Sequence, residues 1–225
     1  MNIIVIPIYK KSHLCQQVLN GIRKHESGNV GRIIVTNNSP DDPGVNGCLE
    51  FWQSSELLPL EVINNSENIG FTLSANVGLR AACENSSEDD AVFLISNDVV
   101  INGKFASTAS SVLTSQKCLL GHKLLSRDTG WNTFDGNMFP YIEGYFLACT
   151  SSGWKDLGYF DPSYAPFDFE DVDLSTTAIS KGYKLVPTNN PGILHAGGGT
   201  IGYTDERRAI TERNREYFRK KWISE

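Results

Sequence analysis

The first hundred residues alternate short apolar runs with amphipathic windows, and this order restricts the chain to one class of fold. Ile3 to Ile8 reads as a buried strand. Ser12 then caps a helix that carries Leu14, Val18, Leu19 and Ile22 on one face. Arg32 to Thr36 is a second strand, followed by a helix from about Val45 to Ser54 and a strand at Leu60 to Ile63. Thr72 to Glu84 is the next helix and Ala91 to Ile95 the fourth strand. A β-α-β-α-β-α-β order predicts an α/β fold with a parallel, helix-covered sheet and right-handed crossovers.

The rest of the chain narrows the setting. At 225 residues it makes one large domain with a proper core. The net charge of −6 argues against a nucleic-acid binder, because no overall field draws in phosphate backbones. No apolar run approaches the ~20 residues that span a bilayer. Met1-Asn2 leads straight into Ile3, without a basic leader, so the expected location is cytoplasmic. The five cysteines are scattered and never form a C-x-x-C pair, which predicts free thiols rather than disulfides or a zinc site.

Ligands of such sheets collect beyond the carboxyl ends of the strands. The loops there are Pro7-Ile8-Tyr9, Asn37-Asn38-Ser39, Asn64 to Gly70 and Ser96-Asn97-Asp98. Turn chemistry alone explains Asn and Gly in any one of them. Four polar loops on one edge indicate a site. The second half is less regular: Phe105 to Thr114 reads as helix, Cys118 to Leu125 and Tyr141 to Thr150 as strands, and Trp131 to Met138 as a hairpin or loop. Ile193 to His195 is a short strand, and Asp205 to Trp222 is a closing helix.

Two acidic turns carry the chemistry. Asp98, directly after a central strand, suits Mg²⁺ or Mn²⁺, hard cations that bridge diphosphates. It equally suits a helix cap near Gly103 to Phe105. Asn97 beside it suits a sugar hydroxyl or phosphate. Downstream, Phe167 to Leu174 holds Asp168, Glu170, Asp171 and Asp173, with a helix-like stretch over Leu174 to Gly182. Asp171 and Glu170 are the candidates for a general base that deprotonates a hydroxyl. Asp168 and Asp173 fit helix-start chemistry, and Asp173, two residues on, should point away from Asp171. His195 is a possible metal or phosphate ligand ahead of Gly197-Gly198-Gly199, although a lone histidine also serves as a structural residue. The last segment, with Arg207, Arg208, Arg213, Arg215, Arg219, Lys220 and Lys221, is an amphipathic basic helix. It either packs its aromatic face on the body or meets an anionic lipid surface or charged acceptor. Arg207 or Arg208 could close over a diphosphate.

Asn68-Ile-Gly-Phe-Thr-Leu-Ser-Ala-Asn-Val-Gly78, Leu157-Gly-Tyr-Phe-Asp161 and Phe169-Glu-Asp-Val-Asp-Leu174, in this order, resemble the family 2 glycosyltransferases. The resemblance runs from Ile3 to about Trp222, and Ser96-Asn-Asp-Val99 looks closest to the rhamnosyltransferase-like branch. It implies a GT-A fold, Rossmann-like with a mixed sheet flanked by helices. Residues 1–100 would form the nucleotide-sugar half and 101–225 the acceptor half. The implied activity is inverting transfer from a UDP-, dTDP- or GDP-linked sugar to a glycan, lipid-linked or protein acceptor. Pro7, Ile8, Tyr9, Asn37 and Asn38 would hold the nucleotide, and Asn68, Gly70, Asn76 and Asn97 would line the donor. Asp98, the last residue of the family's D-x-D motif, and His195 would hold Mn²⁺ or Mg²⁺. Asp171 would be the base, with Trp131, Gly144 and Glu170 on the acceptor side. The chain departs from the family at Asn37 and at Ser96, where the pattern has aspartates. Competing readings are a non-catalytic nucleotide- or glycan-binding protein and a sugar nucleotidyltransferase. The loop Pro7 to Lys11 lacks the glycines that the nucleotidyltransferase would need.

Overall fold

The computed structural model of the protein describes residues 1–190, 192–195, 202 and 204–223. The first half runs β1 (Asn2–Ile8), α1 (Ser12–Glu26), β2 (Arg32–Asn37), α2 (Pro43–Ser54), β3 (Leu60–Asn64), α3 (Gly70–Glu84) and β4 (Ala91–Ile95). The short β5 (Val99–Ile101), α4 (Ala106–Ser115), β6 (Cys118–Gly121) and β7 (Leu124–Leu125) follow. A hairpin of β8 (Thr133–Phe134) and β9 (Asn137–Met138) leads to β10 (Tyr141–Ile142) and β11 (Phe146–Thr150). The chain closes with α5 (Ser151–Leu157), α6 (Glu170–Ser180), β12 (Lys184–Pro187), β13 (Ile193–His195) and α7 (Asp205–Trp222).

Seven strands form one sheet in the order β12-β6-β11-β4-β1-β2-β3. The four N-terminal strands are parallel, as their helical crossovers require, while β11 runs antiparallel between β4 and β6. The sheet is therefore mixed. The two-residue period of β1 divides the core between its faces. Ile4, Ile6 and Ile8 pack with Val18, Ile22, Leu49 and Trp52 of α1 and α2. Ile3 and Val5 pack with Ala75, Leu79 and Ala82 of α3 on the other face. Each such aliphatic side chain contributes about 1.5–3 kcal/mol by leaving water. Gly78 lets α3 sit this close, since a Cβ there would meet Val5 Cγ1 at 2.4 Å.

Local chemistry sets the helix starts. Asp42 caps α2 through the amides of Gly44 and Val45 at 2.9 and 3.0 Å, with Pro43 in the first turn. The N-terminus of α4 is capped from a distance: buried Glu26, at the end of α1, accepts from the amides of Phe105 and Ala106. Asp98 is not that cap. None of the described helices is long and apolar enough to cross a membrane. All five cysteines are free thiols.

Candidate active site

Beyond the carboxyl ends of β1, β2 and β4 lies a cleft of about 530 Å³. One wall is Pro7, Ile8, Tyr9 and Asn38 with Asn68 and Gly70, and the floor is Ser96, Asn97 and Asp98. The opposite wall carries Gly144, Glu170 and Asp171, and His195 closes one end. These residues come from seven separate segments of the chain, so the fold alone brings them together.

Asp98 is 4% exposed. Its Oδ1 accepts from Ser96 Oγ at 2.6 Å and lies 3.3 Å from His195 Nε2. Burial works against the carboxylate charge, but the contacts from His195 and Ser96 outweigh it and hold the group below the usual carboxylate range. His195 reaches Asp98 because β13 pairs antiparallel with β5 and sets His195 opposite Val99. Its ring stacks on Tyr145, with centroids 4.0 Å apart. The Tyr145 hydroxyl meets Nδ1 of buried His122, whose Nε2 lies 3.0 Å from the Asn190 carbonyl. One carboxylate and one imidazole on converging backbones fit a Mn²⁺ or Mg²⁺ ion that takes its remaining oxygens from a diphosphate. No group of three or more acidic, histidine or cysteine side chains that could hold a metal occurs among the described residues. Gly197-Gly198-Gly199 lies outside the described residues.

Across the cleft, Asp171 Oδ2 accepts from the Gly144 amide at 2.9 Å and Oδ1 from its neighbour Val172 at 2.8 Å. Burial drives its pKa up to about 7, and these two amides oppose the rise. Glu170 is 6% exposed, and burial next to Asp171 and Asp168 raises its pKa well above the carboxylate range. Its Oε2 finds no hydrogen-bond partner among the described residues. The two sides are joined through adjacent residues. Gly144 holds Asp171, while Tyr145 stacks on His195 and accepts at its carbonyl from the Ser96 amide at 2.8 Å.

The acidic turn is held in an unfavourable backbone shape. Asp168 and Phe169 are consecutive left-handed residues, with φ of 69° and 75°, just before α6 begins. The helix starts four residues earlier than the sequence suggests, which puts Glu170 and Asp171 in its first turn. Helix α7 supplies the restraint. Arg207 pairs with both oxygens of Asp168, and Thr211 Oγ1 donates to it at 2.7 Å. The amide of buried Asn214 lies 2.8, 2.7 and 2.8 Å from the carbonyls of Tyr164, Phe167 and Asp168. Asp173 faces the other end of α7, where Lys221 and Trp222 Nε1 reach it at 2.9 and 2.7 Å. Asp168 and Asp173 are thus anchors for α7. Some of its basic groups engage the body: Arg215 lies over Phe134 and Lys221 pairs with Asp161 and Asp173, while Arg219 and Asp135 form an exposed ion pair. Arg208 remains exposed beside a second cavity, and Lys220 has an exposed ion pair with Glu216.

Three residues expected at the site do not line this cleft. Asn37 is fully buried. Its Nδ2 donates to Asn46 and Asn64 at 3.0 Å each, and its Oδ1 accepts from the Ser39 amide. An aspartate could not donate these bonds, which accounts for asparagine here. Asn76 clamps the backbone of Phe160, donating to its carbonyl at 2.8 Å and accepting from its amide at 3.0 Å. Trp131 is 49% exposed and lines the second cavity. Asn68 and Gly70 line the cleft but also do structural work. Asn68 caps the Gly70 amide at 3.0 Å, and Gly70 sits at φ +81° where a Cβ would strike Pro166 at 2.5 Å. Asn38 donates to the Gly70 carbonyl at 3.0 Å. Sequence patterns missed Tyr145, Thr211 and Asn214. Only the aromatic beside Gly144 offered a signal, because side-chain clamps across 43 residues or more have none.

A scan against protein-family models and a search of curated proteins found no match. Solved structures do match. The mannosyltransferase PcManGT from Pyrobaculum calidifontis, in complex with GDP-Man and Mn²⁺, superposes with a TM-score of 0.67 at 16% identity, covering 88% of this chain and 58% of that one. GalNAc-T7 with UDP, GalNAc and Mn²⁺ superposes with a TM-score of 0.74 at 11% identity, covering 100% and 48%. S. aureus TarS 1-349 in complex with UDP gives 0.66 at 16% identity, covering 96% and 64%. The chain thus spans about half to two thirds of each of these structures. Likeness at these identities establishes the architecture, a mixed α/β GT-A fold.

Proposed function

We propose that the protein is an inverting glycosyltransferase that moves a sugar from a nucleotide-diphospho-sugar to an acceptor hydroxyl. The observation that carries this reading is one cleft with a charged carboxylate on one side and a proton-accepting one on the other. Asp98 is kept ionised beside His195, and Asp171 is tuned to about 7. Among GT-A transferases, the family 2 branch is the one the Asn68–Gly78 and Phe169–Leu174 motifs favour. The donor would be UDP-, dTDP- or GDP-linked, with Pro7 to Tyr9 and Asn38 against the nucleotide.

Asp171 spends one lone pair of each oxygen on a backbone amide and keeps the others for the acceptor. In the proposed reaction the acceptor hydroxyl gives its proton to Asp171 as its oxygen bonds to the anomeric carbon. The bond from that carbon to the diphosphate breaks on the opposite face, and the electron pair leaves with the diphosphate. A divalent cation held by Asp98 and His195 would supply charge neutralisation for that leaving group. Ser96 would steady Asp98 by its hydrogen bond rather than add a second carboxylate. Any contact with an anionic surface would rest on the exposed basic groups of α7, among them Arg208, Arg213, Arg219 and Lys220.

The test is Asp171→Asn. Transfer, read as nucleoside diphosphate release across a panel of nucleotide sugars and acceptors, should fall by roughly 10²–10⁴-fold. Nucleotide affinity by calorimetry should survive. Near-normal turnover would remove Asp171 as the base. Tight nucleotide binding without any turnover in the wild type would instead identify a non-catalytic binding protein.

A further inference from the structure

Behind the cleft, a second cavity of about 470 Å³ opens on the other side of the acidic turn. Glu170 and Asp171 line both spaces while Asp98 lines only the first, so a ligand in the second cavity can reach the proposed base without touching Asp98. Its outer wall is Trp131, the most exposed of the four tryptophans at 49%, on a loop fixed from within. Buried Asn132 accepts from Thr129 and donates to the carbonyls of Arg127 and Phe139, at 2.9, 3.2 and 3.1 Å. The aromatic face is therefore presented on a braced loop.

We infer that this cavity binds a neutral pyranose of the acceptor, stacked on Trp131 and hydrogen-bonded to Glu170, which leaves one of its hydroxyls at Asp171. The inference rests on the transferase reading and supplies its acceptor class. A flat aromatic face beside carboxyl groups matches a sugar ring, which has an apolar face and a polar edge. Glu170 points to a ligand independently, because a buried oxygen without a partner among the described residues costs free energy until something binds it. Charge decides against a phosphate-bearing lipid acceptor. Arg207 is already paired with Asp168, which leaves Arg208 as the remaining basic group in the lining, with Asp171 and Asp205 in the same wall. The apolar side chains at its base, Phe169 and Val172, are 4% and 3% exposed, too little surface for an acyl chain.

The test needs no nucleotide. Acrylamide quenching of tryptophan emission is followed while the wild-type protein is titrated with cellobiose, maltose, chitobiose and mannobiose, and with farnesyl phosphate as the anionic control. At least one neutral disaccharide should lower the quenching constant, roughly twofold, by covering the exposed indole. The protection should vanish in Trp131→Ala, and Glu170→Ala should weaken it roughly tenfold. The inference is overturned if no neutral disaccharide protects, if farnesyl phosphate alone protects, or if protection persists in Trp131→Ala. Calorimetry of UDP, GDP and dTDP on the wild type reads the transferase proposal separately, so either can fail alone.

Discussion

Asp98 and Asp171 are carboxylates at the rim of one cleft, and their surroundings push them in opposite directions. Asp98 is buried, yet it keeps its charge because His195 and Ser96 stand against it. Asp171 is pushed up to about 7 by burial, because the two backbone amides it receives do not offset that cost. Burial by itself therefore does not assign a role; the partners do. A permanently charged group suits a cation, and a group that titrates near neutrality suits proton transfer.

The loss of transfer in Asp171→Asn is the largest effect expected from this contrast. Asp98→Asn comes next and should act on binding: Mn²⁺-dependent affinity for a nucleoside diphosphate should fall at least tenfold, about 1.4 kcal/mol, by calorimetry. Equal effects of both variants on binding would collapse the distinction between them. The pH profile sharpens it further. Asp171 must be deprotonated to accept the hydroxyl proton, so kcat/KM should rise with pH and level off above about 7. A profile flat between pH 5 and 8 would contradict the base assignment.

The smallest effect is on stability. The folded pKa of Asp171 lies above its ordinary value of 3.8, so the folded state binds the proton more tightly than the unfolded one. The cost of charging it is absent below that ordinary value, grows as pH rises, and is complete above about 7. Asp171→Asn should thus be more stable than the wild type at pH 8, with the advantage shrinking towards pH 4. Denaturant midpoints at the two pH values measure this. An advantage that grows at low pH would reverse the sign of the argument.

The parallel half was legible because its signals are local: β1 to β4 and their helices follow from apolar period and turn residues. The second half was less so. The run Tyr141 to Thr150 reads as one strand but breaks at Glu143–Tyr145, the residues that carry the link between Asp171 and His195. Cys118 to Leu125 breaks likewise at His122, which bonds to Tyr145. Strand β5, only three residues long, gave no pattern, so nothing local indicated that His195 would lie beside Asp98. The most recognisable motif also changed character. Asn68, Gly70, Asn76 and Gly78 each secure α3 through a turn, a close approach or a backbone clamp. A motif can mark a family by how its site is held as much as by what touches the ligand.

The anchoring of Asp173 has a consequence for how the protein is made. Its partners Lys221 and Trp222 lie 48 and 49 residues further along the chain. At synthesis rates of roughly 5–20 residues per second, the acidic turn waits several seconds for them to emerge. During that interval its strained backbone has neither Asn214 nor Arg207 to restrain it. The candidate site is therefore completed last, after the parallel sheet has had time to form.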